Sequence, residues 1–151
     1  MTSDISEALR AEVARRAGGR CEYCLIHELE AGFPHQVDHI VSRKYGGEST
    51  SDNLAYACVI CNRSKGTDIA AIAQSSGKIA RLFDPRRDLW SNHFRLEGAM
   101  IEPTSNVGSA TVRLLRLNAP ERISERRLLQ SLGRYPQKQR SKRGIASQTA
   151  S

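Results

Sequence analysis

The residues best suited to chemistry in this sequence lie between Cys21 and Lys65. All four cysteines fall there, in two C-x-x-C pairs, Cys21/Cys24 and Cys58/Cys61. A C-x-x-C turn directs both sulfurs at one point, and two such turns build a tetrahedral thiolate cage for zinc. The N-terminal residues predict no signal peptide, so a reducing compartment disfavours disulfides. The sequence therefore predicts structural zinc, closed by four ligands and not catalytic itself.

A second set, Asp38, His39 and Asn62, could hydrolyse a phosphodiester. That reaction needs an activated water, a counter-charge in the transition state and help for the leaving oxygen. A histidine base and one hard divalent metal supply all three. Successive strand residues face opposite sides, so Asp38 and His39 could straddle a site to which a neighbouring helix brings Asn62. Two oxygen ligands favour Mg²⁺ or Mn²⁺ over softer ions.

Each of these residues also has a simpler explanation. Asp38 and His39 could be an ordinary polar pair on a strand, and Asn53 and Asn62 could be helix caps or turn residues. Gly46 and Gly47 are typical of a turn. Their combination beside two zinc knuckles is what favours a catalytic site over the separate structural roles.

Four cations flank the set and are predicted to bind phosphates on either side of the scissile bond: Arg43, Lys44, Arg63 and Lys65. Solvated surface charge is the alternative for each. The excess of basic residues behind the formal net charge of +7 lies outside the region of these residues, since residues 1–80 carry −1, residues 81–130 carry +3 and residues 131–151 carry +5. A polyanionic partner is compatible with this distribution.

The elements around the site can be predicted in outline. Residues 4–17 predict an amphipathic helix, and residues 36–41 predict a strand. Residues 53–57 fit either a helical turn or a second strand. Residues 59–73 favour a helix, weakened in its middle by Gly66.

Beyond residue 75 the pattern changes. Residues 88–102 predict a hairpin broken at Gly98, residues 109–118 predict a helix, and another helix follows Pro120. From Arg134 onward the chain lacks a large apolar set and predicts disorder.

The fragments "CEYC", "VDHI", "GG", "DNLAYAC" and "CNRSK" together resemble the HNH endonuclease family, whose ββα-metal motif is often braced by two zinc knuckles. The resemblance covers about residues 10–72. It implies an α+β fold with a small zinc-braced ββα-metal core and an α/β C-terminal extension. The expected organisation is a nuclease domain over residues 1–75, an extension packing on it over 76–132, and a basic disordered tail over 133–151.

The resemblance also implies residue roles. His39 would be the general base and Asp38 a metal ligand. Asn53 would brace the loop that holds the imidazole, and Asn62 would be the second metal ligand, where the family often has histidine. This variant, with asparagine in place of the last histidine (HNN), predicts activity with Mg²⁺ or Mn²⁺ and little with Ni²⁺ or Zn²⁺.

The expected function is a metal-dependent endonuclease acting on DNA and leaving, by resemblance, 5′-phosphate and 3′-hydroxyl ends. An enzyme that nicks or recognises a DNA shape is a subtype of this reading. The alternative is a zinc-stabilised nucleic-acid-binding module without chemistry. No base-reading module is recognisable, so no sequence preference is predicted. No apolar run approaches membrane-spanning length, and the expected location is cytoplasmic. Oligomeric state stays open.

Overall fold

The computed structural model describes residues 5–138. Within them the protein is α+β, as predicted, with short strands in two-stranded antiparallel sheets and α-helices packed around them. In chain order the elements are α1 (Glu7–Arg16), β1 (Gln36–His39), β2 (Leu54–Ala57), α2 (Val59–Lys65), β3 (Ala70–Ile72), β4 (Ile79–Arg81), β5 (Phe94–Glu97), β6 (Met100–Pro103), α3 (Asn106–Leu115) and α4 (Pro120–Ser131).

The ββα unit consists of β1, β2 and α2. The two strands pair antiparallel from Gln36 opposite Ala57 to His39 opposite Leu54, so 53–57 contributes the second strand. Cys58 caps α2, because its Sγ accepts a hydrogen bond from the Cys61 amide. The end of β2 and the start of α2 are thereby fixed by a residue that also belongs to the cysteine cluster.

The helix predicted over residues 59–73 is wrong in its second half. α2 ends at Lys65, since Gly66 takes φ 53° and ψ −131°, which leads the chain out of the helix. Ala70–Ile72 instead forms β3, which pairs with Ile79–Arg81. Apolar residues in this short run therefore line a strand and not a helix face.

α1 covers the ββα unit on one side. Its Ser6 caps the N-terminus by accepting a hydrogen bond from the Leu9 amide. The buried side chains of Val13, Leu54 and Tyr56 form a small apolar cluster between the helix and β2. The predicted N-terminal helix is confirmed in this way.

The C-terminal part of the chain shares its apolar core with the cysteine region. Phe94, Ile101 and Leu115 belong to the same buried cluster as the four cysteines. α3 lies very close to the hairpin β5–β6, because a Cβ on Gly108 would stand 2.1 Å from the His93 carbonyl oxygen. The predicted hairpin and both later helices are confirmed.

The two expected domain boundaries, after residue 75 and after residue 132, both lie in the part of the chain that the structure describes. The junction between residues 75 and 76 lies in the turn that joins β3 to β4. At the second boundary, Tyr135 is buried and its hydroxyl donates to the Cys24 carbonyl at 2.7 Å, while Arg20 donates to the Gln137 carbonyl at 2.8 Å. Residues 134–138 thus pack on the core, and the remaining predicted tail, 139–151, lies outside the described residues.

No helix among residues 5–138 is long and apolar enough to cross a membrane.

Candidate active site

The four cysteines converge as their spacing predicts. Their sulfur atoms all lie within 4.8 Å of one another, and all four residues are buried. This donor set fits a single tetrahedral ion such as zinc, with no room for a further ligand from solvent. The cluster joins the segment after α1 to the start of α2, so it fixes two parts of the chain that lie 34 positions apart.

The electrostatics of this cysteine cage call for positive charge. Burial raises the pKa of Cys21 and of Cys61, whereas hydrogen bonds from neighbouring thiols lower the pKa of Cys24. The guanidinium of Arg122, on α4, reaches the cage, with Nη2 at 3.1 Å from Cys61 Sγ and 3.8 Å from Cys58 Sγ. Thiolate ligands are therefore met by a cation from the C-terminal part of the chain.

The predicted catalytic set lines an open cleft of about 360 Å³. Asp38 and His39 enter it from the end of β1, and Asn62 enters from α2. Sequence reasoning predicted that a helix held by Cys58 and Cys61 would bring Asn62 to this place, and the structure brings the three side chains to one cleft. Asn62 follows the last cysteine directly, so the cage sets its position.

Asp38 is the buried member of the set. Its Oδ2 lies 3.1 Å from Lys65 Nζ and accepts a hydrogen bond from the Tyr23 hydroxyl at 3.3 Å. Burial raises the pKa of Asp38 above its usual range, and the Lys65 ammonium opposes that rise. Lys65 Nζ also donates to the His39 carbonyl at 2.9 Å, so one buried ammonium holds both residues of the Asp-His pair.

His39 is held through one ring nitrogen. Its Nε2 lies 2.8 Å from the hydroxyl oxygen of Ser49, which in turn accepts a hydrogen bond from Arg43 at 3.3 Å. Ser49 belongs to the loop that follows β1, so the orientation of the imidazole depends on the conformation of that loop.

Asn53 closes that loop. Its Oδ1 accepts from the Val41 amide at 3.0 Å, and its Nδ2 donates to the carbonyls of Val41 at 3.0 Å and Glu48 at 2.8 Å. Gly47 is required at the same crossing, because a Cβ there would stand 1.7 Å from the Val41 carbonyl oxygen. Asn53 does not line the cleft, and it ties together the two ends of the loop that carries Ser49.

Asn62 presents an amide to the cleft. Its Nδ2 donates to Gln36 Oε1 at 2.5 Å, an orientation that leaves Oδ1 as the oxygen available to a ligand. Asp38 and Asn62 both line the cleft with oxygen-bearing side chains.

The four cations predicted to contact phosphate separate in the structure. Arg43 and Lys44 are exposed and line the cleft. Arg63 lines a different groove, beside Arg122. Lys65 is 1% exposed and bonded to Asp38, so its ammonium lies beneath the cleft and not on the surface where a phosphate contact was predicted.

Sequence reasoning missed the partners that orient the set: Tyr23, Gln36, Ser49 and Arg122. Tyr23 lies inside the first C-x-x-C turn, which is the one sequence signal that could have placed it near the site. Ser49 and Gln36 are common polar residues in a predicted turn and strand, and nothing in their spacing separates them from solvent-facing neighbours. Arg122 lies 61 positions from Cys61 and carries no local signal.

Comparison with known proteins gives one match. Residues 21–68 match the HNH endonuclease family, a stretch that includes all four cysteines and every predicted catalytic residue. No curated protein and no solved structure matches the chain. The match associates the chain with nuclease and nucleic-acid-related function. Residues 21–68 therefore match the HNH endonuclease domain, and the four cysteines fit the type of that domain that carries two C-x-x-C knuckles.

Proposed function

We propose that the protein is a metal-dependent endonuclease that hydrolyses DNA phosphodiester bonds at the cleft. One observation carries the proposal: an imidazole, a carboxylate and a carboxamide from two different elements line the same cleft of an HNH domain. Those three side chains are His39, Asp38 and Asn62, and they supply a base and two oxygen donors.

His39 is the proposed general base. The Ser49 contact occupies Nε2, so Nδ1 is the nitrogen that remains for a water molecule. In the neutral tautomer that donates from Nε2 to Ser49, Nδ1 carries the lone pair that takes the proton from the attacking water. The loop closed by Asn53 and Gly47 carries Ser49, whose hydroxyl holds the ring through Nε2.

Asp38 Oδ1 or Oδ2 and Asn62 Oδ1 are the proposed ligands for Mg²⁺ or Mn²⁺. The ion would supply charge stabilisation at the phosphate and at the departing 3′ oxygen. A single carboxylate with one amide is a sparse set, and Mg²⁺ sites of this kind draw their remaining ligands from substrate phosphates and water. Asp38 and Asn62 would therefore hold the ion together with phosphate oxygens of the substrate.

Arg43 and Lys44 are the proposed phosphate contacts on the rim of the cleft. Both are exposed, and contacts to phosphate of this kind position the duplex without reading its sequence. Their contribution should fall with added salt, because each phosphate neutralised releases counterions.

The test is nicking of supercoiled plasmid, with Mg²⁺ omitted and then restored. Omission is preferable to chelation, since a chelator would also attack the cysteine cage. His39→Ala should lower the rate of Mg²⁺-dependent nicking about 10²–10⁴-fold, and His27→Ala, a histidine outside the cleft, should nick like the wild type. Nicking at close to the wild-type rate in a folded His39→Ala protein would refute the assignment of the base.

A second candidate is a nucleic-acid-binding module without chemistry. The observation that favours it is that Asp38 is already bonded to Lys65 and Tyr23, so its carboxylate has protein partners before any metal binds. A metal-loaded cysteine cage, plasmid retardation on a gel and no cleavage of supercoiled, branched or single-stranded DNA in Mg²⁺ or Mn²⁺ would select this function.

A further inference from the structure

Arg122 is a buried cation whose surroundings are unusual. It lies near the start of α4 and is 5% exposed. Nη1 donates to the carbonyls of Leu115 at 2.8 Å and Arg116 at 3.2 Å, at the C-terminus of α3. Nη2 contacts the sulfurs of Cys61 and Cys58. Within residues 5–138 no carboxylate lies within ion-pair distance of its guanidinium.

A buried guanidinium without a counter-charge is strongly unfavourable, because it loses its hydration and gains only dipoles in return. Four thiolates around a divalent ion carry a formal net charge of −2, and they are equally buried. The guanidinium and the loaded cage therefore compensate each other. Glu125, on the same helix, also interacts electrostatically with Arg122, but it is exposed and forms no ion pair with it within residues 5–138.

We propose that Arg122 is the outer partner of the cysteine cage, and that it makes metal binding by the HNH domain depend on the C-terminal helices α3 and α4. The cage holds a divalent ion as tetrathiolate, and Arg122 donates to its sulfurs while anchoring α4 on the end of α3. This coupling is separate from the proposed DNA cleavage and would stand if that function failed.

α4 supplies matched controls. Arg126 is also buried, at 2% exposed, but donates to the Ala99 carbonyl at 2.8 Å and to Asn118 Oδ1 at 3.0 Å, and makes no hydrogen bond to a cysteine sulfur. Arg127 is exposed. Arg126→Met reports the cost of losing a buried arginine from the helix, and Arg127→Met reports the loss of a charge alone.

The experiment is a competition for zinc between the full-length protein and a chromophoric chelator, with Co²⁺ as a spectroscopic probe. Arg122→Met should weaken metal binding about 10–100-fold, the usual cost of removing an outer-shell partner. Its sulfur-to-cobalt charge-transfer band should shift, because the thiolates lose their hydrogen-bond donor. Arg126→Met and Arg127→Met should keep the wild-type affinity and band.

Arg122→Lys keeps the positive charge, so it can test the proposal if Arg122→Met does not fold. Its single ammonium cannot reach both the α3 carbonyls and the sulfurs, so we expect an intermediate affinity. Wild-type affinity and an unshifted band in a folded Arg122→Met or Arg122→Lys protein would overturn the proposal. Equal weakening by Arg126→Met would also overturn it, since the effect would then come from the packing of α4.

Discussion

The cysteine cage and the candidate cleft share the short helix α2, which carries Cys61 and Asn62 at adjacent positions, and they are built in different ways. The cage is buried, its donors are of one kind, and all four sulfurs already lie within 4.8 Å of one another. The cleft is open, and its donors are of three kinds. Each cleft donor already has a protein partner: Lys65 for Asp38, Ser49 for His39 and Gln36 for Asn62.

The difference separates a site whose donors are complete from one whose donors are few. Four convergent thiolates need only an ion, so the cage should fill as the protein folds. The cleft offers one carboxylate and one amide, and under the proposed function DNA would complete the coordination of a metal there. We therefore expect the cage to govern stability and the cleft to govern turnover, with little exchange between the two.

The largest expected effect comes from opening the cage. Cys61→Ser, or zinc removal by a strong chelator, should abolish cooperative unfolding at 25 °C, because metal sites of this type contribute roughly 10–16 kcal/mol in small domains. Circular dichroism during thermal unfolding measures this. A chelated protein that still melted cooperatively near the wild-type Tm would show that the apolar core holds the fold without the ion.

His39→Ala should act on the cleft alone. Loss of a general base lowers the cleavage rate about 10²–10⁴-fold, and the Tm should stay within a degree or two of the wild type because the imidazole is half-buried with one hydrogen-bond partner. Initial nicking rates and a melting curve measure the two halves of this prediction. A large fall in Tm would mean that cleft and cage are not independent.

Lys65→Met tests the buried ion pair between Lys65 and Asp38, which lies at the cleft and which we expect to stabilise the fold. Removing one partner leaves Asp38 as an uncompensated buried charge, and we expect a loss of about 3–5 kcal/mol in the free energy of unfolding. Urea denaturation measures it, with the exposed Lys78→Met as control.

Combining Lys65→Met with Asp38→Leu should recover much of that loss, because no unpaired charge remains. A double variant no more stable than Lys65→Met alone would instead point to lost packing as the cause.

Asn53→Ala should have a smaller effect on stability, about 1 kcal/mol, because the hydrogen bonds it makes at the loop crossing are exposed to solvent. Its effect on turnover should exceed its effect on the fold, since the loop also carries the Ser49 contact to His39. Urea denaturation combined with nicking rates separates the two.

Asn62→Ala, which leaves that loop intact, should hardly change stability while it raises the Mg²⁺ concentration needed for half-maximal rate.

The smallest expected effect is that of the rim. Replacing Arg43 and Lys44 by alanine should lower the slope of log affinity against log salt by about 1–2, in line with one or two lost phosphate contacts. Binding to a short DNA duplex at several salt concentrations measures this. The matched pair Arg63→Ala and Lys78→Ala, outside the cleft, should leave the slope unchanged.

The convergence of the four cysteines, and that of Asp38, His39 and Asn62, could be predicted because these residue types at these short spacings are typical of metal-binding and catalytic sites. The strand of Asp38 and the helix of Asn62 followed from short-range pattern. The end of α2 could not be predicted, since Gly66 in a helix interior and Gly66 at a helix end look alike until tertiary pairing of β3 with β4 decides. The burial of Lys65 could not be predicted for the same reason. A lysine in a predicted surface helix gives no local signal that it will form a buried ion pair with Asp38.

The contact between the Tyr135 hydroxyl and the Cys24 carbonyl spans 111 positions of sequence and has a consequence for biosynthesis. The first knuckle is made early during translation, and the residues that pack it, Arg122 and Tyr135, are made much later. A nascent chain halted before them would hold its HNH motif with an unsupported cage, so we expect its cysteines to remain open to alkylation until the later helices emerge. The protein would thus acquire its stable fold only after the helices that support the cage have been translated.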